Sequence, residues 1–159
     1  MIPAKFLPPI RIIHAALLES QVDWAVTGSL GMVLQGMDLP INDIDLQTDE
    51  DGAYEVERRL AQYVVVPVLY KASERMRSRL GKLNIEGIQV EIIGGIQKRS
   101  QDGDWELPVQ VAPHRLWVEV DGLSIPVLSL EYEYQAYKIM GRDEKATKIR
   151  QWLDQQANG

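Results

Sequence analysis

The 159-residue sequence contains no cysteine. Disulfide staples and thiolate metal sites are thereby excluded, and the composition suits a reducing cytosol. A long apolar run is lacking as well. The opening MIPAKFLPPIRIIHAALL is interrupted by Pro8 and Pro9 and carries Arg11 and His14, which predicts neither a signal peptide nor a membrane span and points to a cytoplasmic protein. Positive charge is not in excess either. With 17 Lys and Arg against 23 Asp and Glu, the net charge is −6, which disfavours a surface built to neutralise a nucleic-acid backbone while leaving room for a local basic site. No repeat, low-complexity tract or linker divides the chain, so residues 1–159 are expected to form one domain. What is present is ordinary for a soluble globular domain, 45% apolar and 25% charged.

Ile10, Ile13, His14, Leu17 and Leu18 recur at helical spacing after the two prolines and predict a first helix running to about Gln21. His14 lies on its apolar side; the only other histidine, His114, is far away in the chain, so His14 reads as a packed residue rather than a ligand. Trp24 to Thr27 has the β-branched and aromatic character of a short buried strand ending at Gly28. Leu30, Val33 and Leu34 then give a short helix its apolar face, with Ser29 as N-cap and Gly36 as terminator. Tyr54, Val56, Leu60 and Tyr63 suit another helix. Val64 to Leu69 is strand-like but contains Pro67, which points to a sheet edge. From Arg75 to Gly94 the pattern is a hairpin turning at Glu86 and Gly87, with Arg75, Arg77 and Arg79 alternating along its first arm. RLWVEVDG and LSIPVL predict further strands, and SLEYEYQAYKIMGRDEKATKIRQWLDQQ two helices separated near Gly141.

In INDIDLQT, residues 41–48, two acids interrupt a buried-strand pattern. Strand alternation sends Asp43 and Asp45 to one face and Ile44 and Leu46 to the other. Carboxylates held that close repel, and a divalent cation relieves the repulsion while taking both as hard oxygen ligands. A bare D-x-D is more often a solvated strand face or a cap of the following loop, so context decides. An EF-hand loop aligned on Gly52 would begin at Gln47 and end at Arg58, and fails at both anchors. The D-x-D-x-T pattern of haloacid-dehalogenase-type phosphatases is missed because Thr48 falls one residue late, and D-x-D glycosyltransferases generally need a longer chain. Upstream, Gly28 and Ser29 mark a strand-to-helix turn where the backbone can approach a phosphate. Downstream, Glu91 in IQVEII is a lone acid flanked by apolar residues in another strand.

VTGSLGMVLQGMDLPINDIDLQ, residues 26–47, resembles the signature of the nucleotidyltransferase superfamily that includes DNA polymerase β and the small antibiotic nucleotidyltransferases: G-[GS], a helix, then [DE]-h-[DE]-h on the next strand. The resemblance implies an α/β (α+β) nucleotidyltransferase fold, a mixed sheet flanked by helices with further helices at the C-terminal end. It implies Asp43, Asp45 and Glu91 as catalytic residues and ligands of one or two Mg²⁺ ions, with Gly28 and Ser29 on the phosphates of a nucleoside triphosphate such as ATP. Toxin-associated and antibiotic-type members often carry a Lys on a late helix, and PVLSLEYEYQAYK aligns Lys138 with it as a nucleotide-binding residue, one residue out of step. Gly141, Arg142 and Lys145 echo the basic segment that follows. Lys138 and Lys145 read equally well as solvated helix charges. The implied reaction moves a nucleoside monophosphate onto a hydroxyl of a small molecule or of a partner protein, as in a toxin–antitoxin pair. The alternative is a nucleotide- or partner-binding module that keeps the fold without turnover. Nucleic acid is disfavoured as a partner.

Overall fold

The computed structural model describes residues 2–158. Helix α1 spans Leu7–Leu17 and buries Ile10, Ile13 and Leu17. Pro8 and Pro9 lie inside its first turn rather than ahead of it, where the missing N–H groups would have had no helical partner. It stops short of the predicted Gln21 because Ser20 turns back, its backbone N–H and its hydroxyl both donating to the Leu17 carbonyl. Leu18, expected on the apolar face, is exposed in consequence.

Strand β1, Trp24–Thr27, is buried throughout and leads into helix α2, Gly28–Leu34. Strand β2 is Ile44–Thr48, and helix α3, Glu50–Arg59, follows at once. Asp49 caps α3 by accepting from the Gly52 N–H at 2.7 Å, which satisfies one of the free amides of the first turn. Tyr63, expected on this helix, falls in a short 3-10 turn beyond it. Strands β3 (Val64–Ala72), β4 (Met76–Ile85) and β5 (Ile88–Lys98) come next, then β6 (Arg115–Val120) and β7 (Leu123–Leu128). Helices α4 (Leu130–Ile139) and α5 (Asp143–Asn158) flank Gly141, as expected.

The seven strands form one mixed sheet in the order β3-β4-β5-β2-β1-β7-β6. β2 pairs in parallel with β5 and β1 in parallel with β7, while the other neighbours are antiparallel. Pro67 does lie in an edge strand, with register shifts on either side of Val66. Glu86 and Gly87 both have positive φ, 53° and 84°, the two-residue turn that matches the twist of a hairpin.

Alternation divides the sheet into two chemically distinct faces. Ile44, Leu46, Val90, Ile92, Leu83 and Ile85 are buried in the main core with the apolar stripes of α1 and α3. On the opposite face α4 and α5 pack with α2 around Met32, Leu130, Tyr137 and Ile149. This second face carries the polar residues.

Candidate active site

Strand register sets the site. Thr27 on β1 stands opposite Asp45 on β2, Asp45 is in register with Glu91 on β5, and Glu91 is opposite Lys82 on β4. Paired residues share a face, so these four side chains form a row across the middle of the sheet. Alternation predicts that each acid interrupts an apolar strand; the parallel pairing of β2 with β5 is what brings Asp45 and Glu91 to the same face.

Asp45 is the electrostatic centre of the row. Its carboxyl is pushed up to about 7, first by burial, then by repulsion from and hydrogen bonding with Glu91, and by Asp43; Lys145 on α5 opposes the shift. A carboxylate neighbour in register disfavours the charged form of Asp45. Asp43 was expected inside the strand. It lies instead just before it, because pairing with β5 begins at Ile44 and Val90. It is exposed and accepts a 3.4 Å hydrogen bond from Gln89 Nε2, and it contributes to the site through its field on Asp45.

Gly28 begins α2 with φ of +70°, and a Cβ there would sit 2.5 Å from Asp45 Oδ2. Only glycine combines that backbone with that proximity. Ser29 is not the N-cap. The extended residue before the helix is Thr27, no side chain caps the helix, and Ser29 is half-buried in its first turn.

Two cavities flank the Gly28–Asp45 contact. One, of about 260 Å³, is bordered by Ser29, Asn42, Lys145 and Lys148, with Met32, Met37 and Leu39 as apolar wall. The other, of about 150 Å³, lies between the sheet and α4 and includes Asp45, Gln47, Lys98, Tyr132 and Glu133. Lys138 borders neither and is exposed on α4. Arg75 precedes β4, while Arg77 stacks on Trp105 at 4.2 Å and Arg79 reaches Glu50 of α3 at 3.8 Å. Arg77 and Arg79 are thus engaged away from the Asp45–Glu91 pair.

Sequence reasoning missed two residues of this face. Glu133 is buried on α4 and accepts hydrogen bonds from Thr27 Oγ1 and the Gly28 N–H; burial pushes its carboxyl up to about 7 against the pull of those bonds. Its signal was present, since Leu130, Glu133 and Tyr137 form one helical stripe and the acid interrupts it. Lys98 is 2% exposed and pairs with Glu106 at 2.8 Å. By simple alternation Lys98 belongs with Ile92 on the apolar core face. A register shift between β4 and β5, where Gly95 has φ of +62°, turns it to the other, as an inserted residue must.

Among the described residues no three carboxylate or imidazole groups stand together as a preformed metal cage. The donor set nonetheless fits Mg²⁺, which binds through one or two carboxylates and completes its shell with water and substrate phosphate. The raised Asp45 marks negative charge that a cation would relieve.

Comparison with known proteins agrees with this fold. Residues 10–152 match the family model of aminoglycoside-2''-adenylyltransferases. A crystal structure of a presumptive nucleotidyltransferase from Thermotoga maritima is 48% identical, covering 98% of this chain and 96% of the other with a TM-score of 0.85. Two more distant structures share the fold. The lincosamide antibiotic adenylyltransferase LnuA with lincomycin bound has 20% identity over 82% of this chain and 83% of the other, TM-score 0.54. ANT(2'')-Ia in complex with adenylyl-2''-tobramycin has 15% identity over 94% and 97%, TM-score 0.53. A search of curated protein sequences gives no significant match.

Proposed function

This chain belongs to the aminoglycoside-2''-adenylyltransferase family of nucleotidyltransferases, and from that premise we propose that it transfers the adenylyl group of ATP to a hydroxyl of a small molecule. The observation that carries the proposal is the in-register pair Asp45–Glu91 beside the Gly28 turn. Asp45 and Glu91, with Asp43 at the entry to β2, would hold Mg²⁺, one ion or two. When bound, the ion neutralises triphosphate charge and lowers the pKa of the attacking hydroxyl.

The protein's own groups divide the remaining work. Gly28 and Ser29 present the α2 turn to the phosphates, and Lys145 and Lys148 supply positive charge in the larger cavity, whose methionine and leucine wall suits a base. Glu91 accepts the proton of the acceptor hydroxyl. The hydroxyl oxygen forms a bond to the α-phosphorus while the bond from that phosphorus to the bridging oxygen breaks, and pyrophosphate leaves with the electron pair. Helix α4 walls the smaller cavity with Tyr132, Glu133 and Ala136.

The test is incubation with Mg²⁺ and each α-labelled nucleoside triphosphate in turn, against hydroxylated small molecules and the small-molecule and protein fractions of a lysate. Label is expected on a small molecule, from ATP, with pyrophosphate released, and Asp45→Asn should abolish it. Tight nucleotide binding without any labelled acceptor would favour a binding module. Label confined to protein would move the acceptor to a partner chain.

A further inference from the structure

The 150 Å³ cavity on the α4 side of Asp45 has a chemistry of its own. Its most buried polar group is Lys98. The ammonium directs one N–H to Glu106 Oε2 at 2.8 Å and another to the Tyr132 hydroxyl at 3.3 Å. An ammonium has three, so one donor is left without a partner among the described residues. Arg142 adds a second positive charge at the rim. Met76, Ile93, Ile96, Ala136 and Met140 make much of the remaining wall apolar.

The cavity's two acids are not free to receive cations. Asp45 belongs to the reacting row, and Glu133 is already used by Thr27 and Gly28. An aminoglycoside carries several ammonium groups, and each one buried here would need a carboxylate it does not find. The space is also below the roughly 300–1,000 Å³ that drug-sized ligands occupy.

We propose that the acceptor is a compact hydroxylated molecule with an apolar body and a carboxylate or carbonyl oxygen, which receives the free N–H of Lys98, and that polycationic amino sugars are excluded. This rests on the adenylyl-transfer reading for the location of the reacting hydroxyl. The binding chemistry of the cavity is testable without turnover. The reaction remains that given above, an O–P bond formed and pyrophosphate released.

A matched series separates the possibilities: 4-(hydroxymethyl)benzoate, its carboxamide, and 4-(aminomethyl)benzyl alcohol, with tobramycin as the polycation. Binding is measured by ligand-observed NMR titration on the full chain with Mg²⁺ and a non-hydrolysable ATP analogue. The carboxylate is expected to bind about tenfold more tightly than the amine, with the carboxamide between them, as a charge-assisted hydrogen bond to Lys98 requires. Lys98→Met should erase the carboxylate's advantage while nucleotide affinity is kept. Ile93→Glu, which places an acid in the apolar wall, should improve the amine and tobramycin, and it reports even if Lys98→Met folds poorly. The proposal is overturned if the amine or tobramycin binds wild type as tightly as the carboxylate, if none of the benzyl alcohols binds, or if a well-folded Lys98→Met protein leaves the order unchanged. The adenylyl-transfer reading fails separately, through absence of labelled product.

Discussion

Asp45 on β2 and Glu91 on β5 stand in register on adjacent parallel strands, and repulsion from Glu91 adds to burial in favouring the protonated form of Asp45. The arrangement favours a cation and costs stability without one. Asp45 has a folded pKa of about 7 against an ordinary 3.8, so the folded state binds more protons than the unfolded between those values. Stability therefore falls as pH rises from about 4 to 7, and the penalty is complete above 7.

Asp45→Asn is accordingly expected to abolish transfer while stabilising the fold. At pH 8 without metal the gain should be ~1–2 kcal/mol, raising Tm by ~3–6 °C. At pH 4.5 most of it should vanish. Calorimetry at the two pH values checks this, and an unchanged Tm at pH 8 would count against a strained carboxyl pair.

Mg²⁺ with nucleotide should pull Asp45 back toward the ordinary carboxylate range. Binding at pH 6.5 is then accompanied by release of up to about one proton, and affinity rises with pH through 7. Titration calorimetry in two buffers of different ionisation enthalpy measures the proton count directly. Zero release would show that the ion does not meet Asp45.

Glu133 ties α4 to the turn that presents Gly28. Removing its acceptor oxygens with Glu133→Leu should raise KM for ATP about tenfold, whereas Glu133→Gln, which keeps one acceptor, should recover most of the loss. Thr27→Val combined with Glu133→Leu should be non-additive, with a coupling of ~1–2 kcal/mol. Additive effects on KM would mean that the two residues act independently.

Gly28→Ala meets two obstacles, a positive φ and the Asp45 carboxylate 2.5 Å from the new Cβ. A destabilisation of ~1–3 kcal/mol is expected, together with loss of nucleotide binding. Denaturant unfolding and equilibrium nucleotide titration measure the two effects separately.

Lys145 and Lys138 offer a direct contrast. Lys145 acts on Asp45 and borders the cavity containing Ser29, while Lys138 is exposed on α4 and borders neither cavity. Lys145→Met should raise KM for ATP by about tenfold, as loss of a phosphate-facing charge does, and Lys138→Met should leave it unchanged. The reverse result would restore Lys138 as the nucleotide residue that sequence resemblance suggested.

Much of this site could be read before any coordinates. Period-two patterning located β1, β2 and the β4–β5 hairpin, and an acid breaking an apolar strand marked both Asp45 and Glu91. Pro67 marked an edge because a central strand needs every N–H. What escaped depended on tertiary placement. Lys98 changes face through a register shift that periodicity cannot see, and Ser29 lost its capping role because the extended residue before α2 is Thr27. Asp43 fell outside β2 because pairing with β5, not local propensity, sets where that strand begins. Glu133 was visible as an acid in an apolar stripe, yet its partners, Thr27 and Gly28, lie more than 100 residues earlier in the chain.

That separation has a consequence for biosynthesis. The Gly28 turn and the acids on β2 are synthesised before their partner Glu91 on β5, and α4 and α5, which bring Glu133 and Lys145, come later still. A nascent chain ending before α4 exposes a row of mutually repelling carboxylates with neither the buried acid that fixes the turn nor the lysine that tempers Asp45. The Gly28 turn and the Asp45 carboxyl are therefore fixed only once α4 and α5 have been added, however early the strands that carry them have paired.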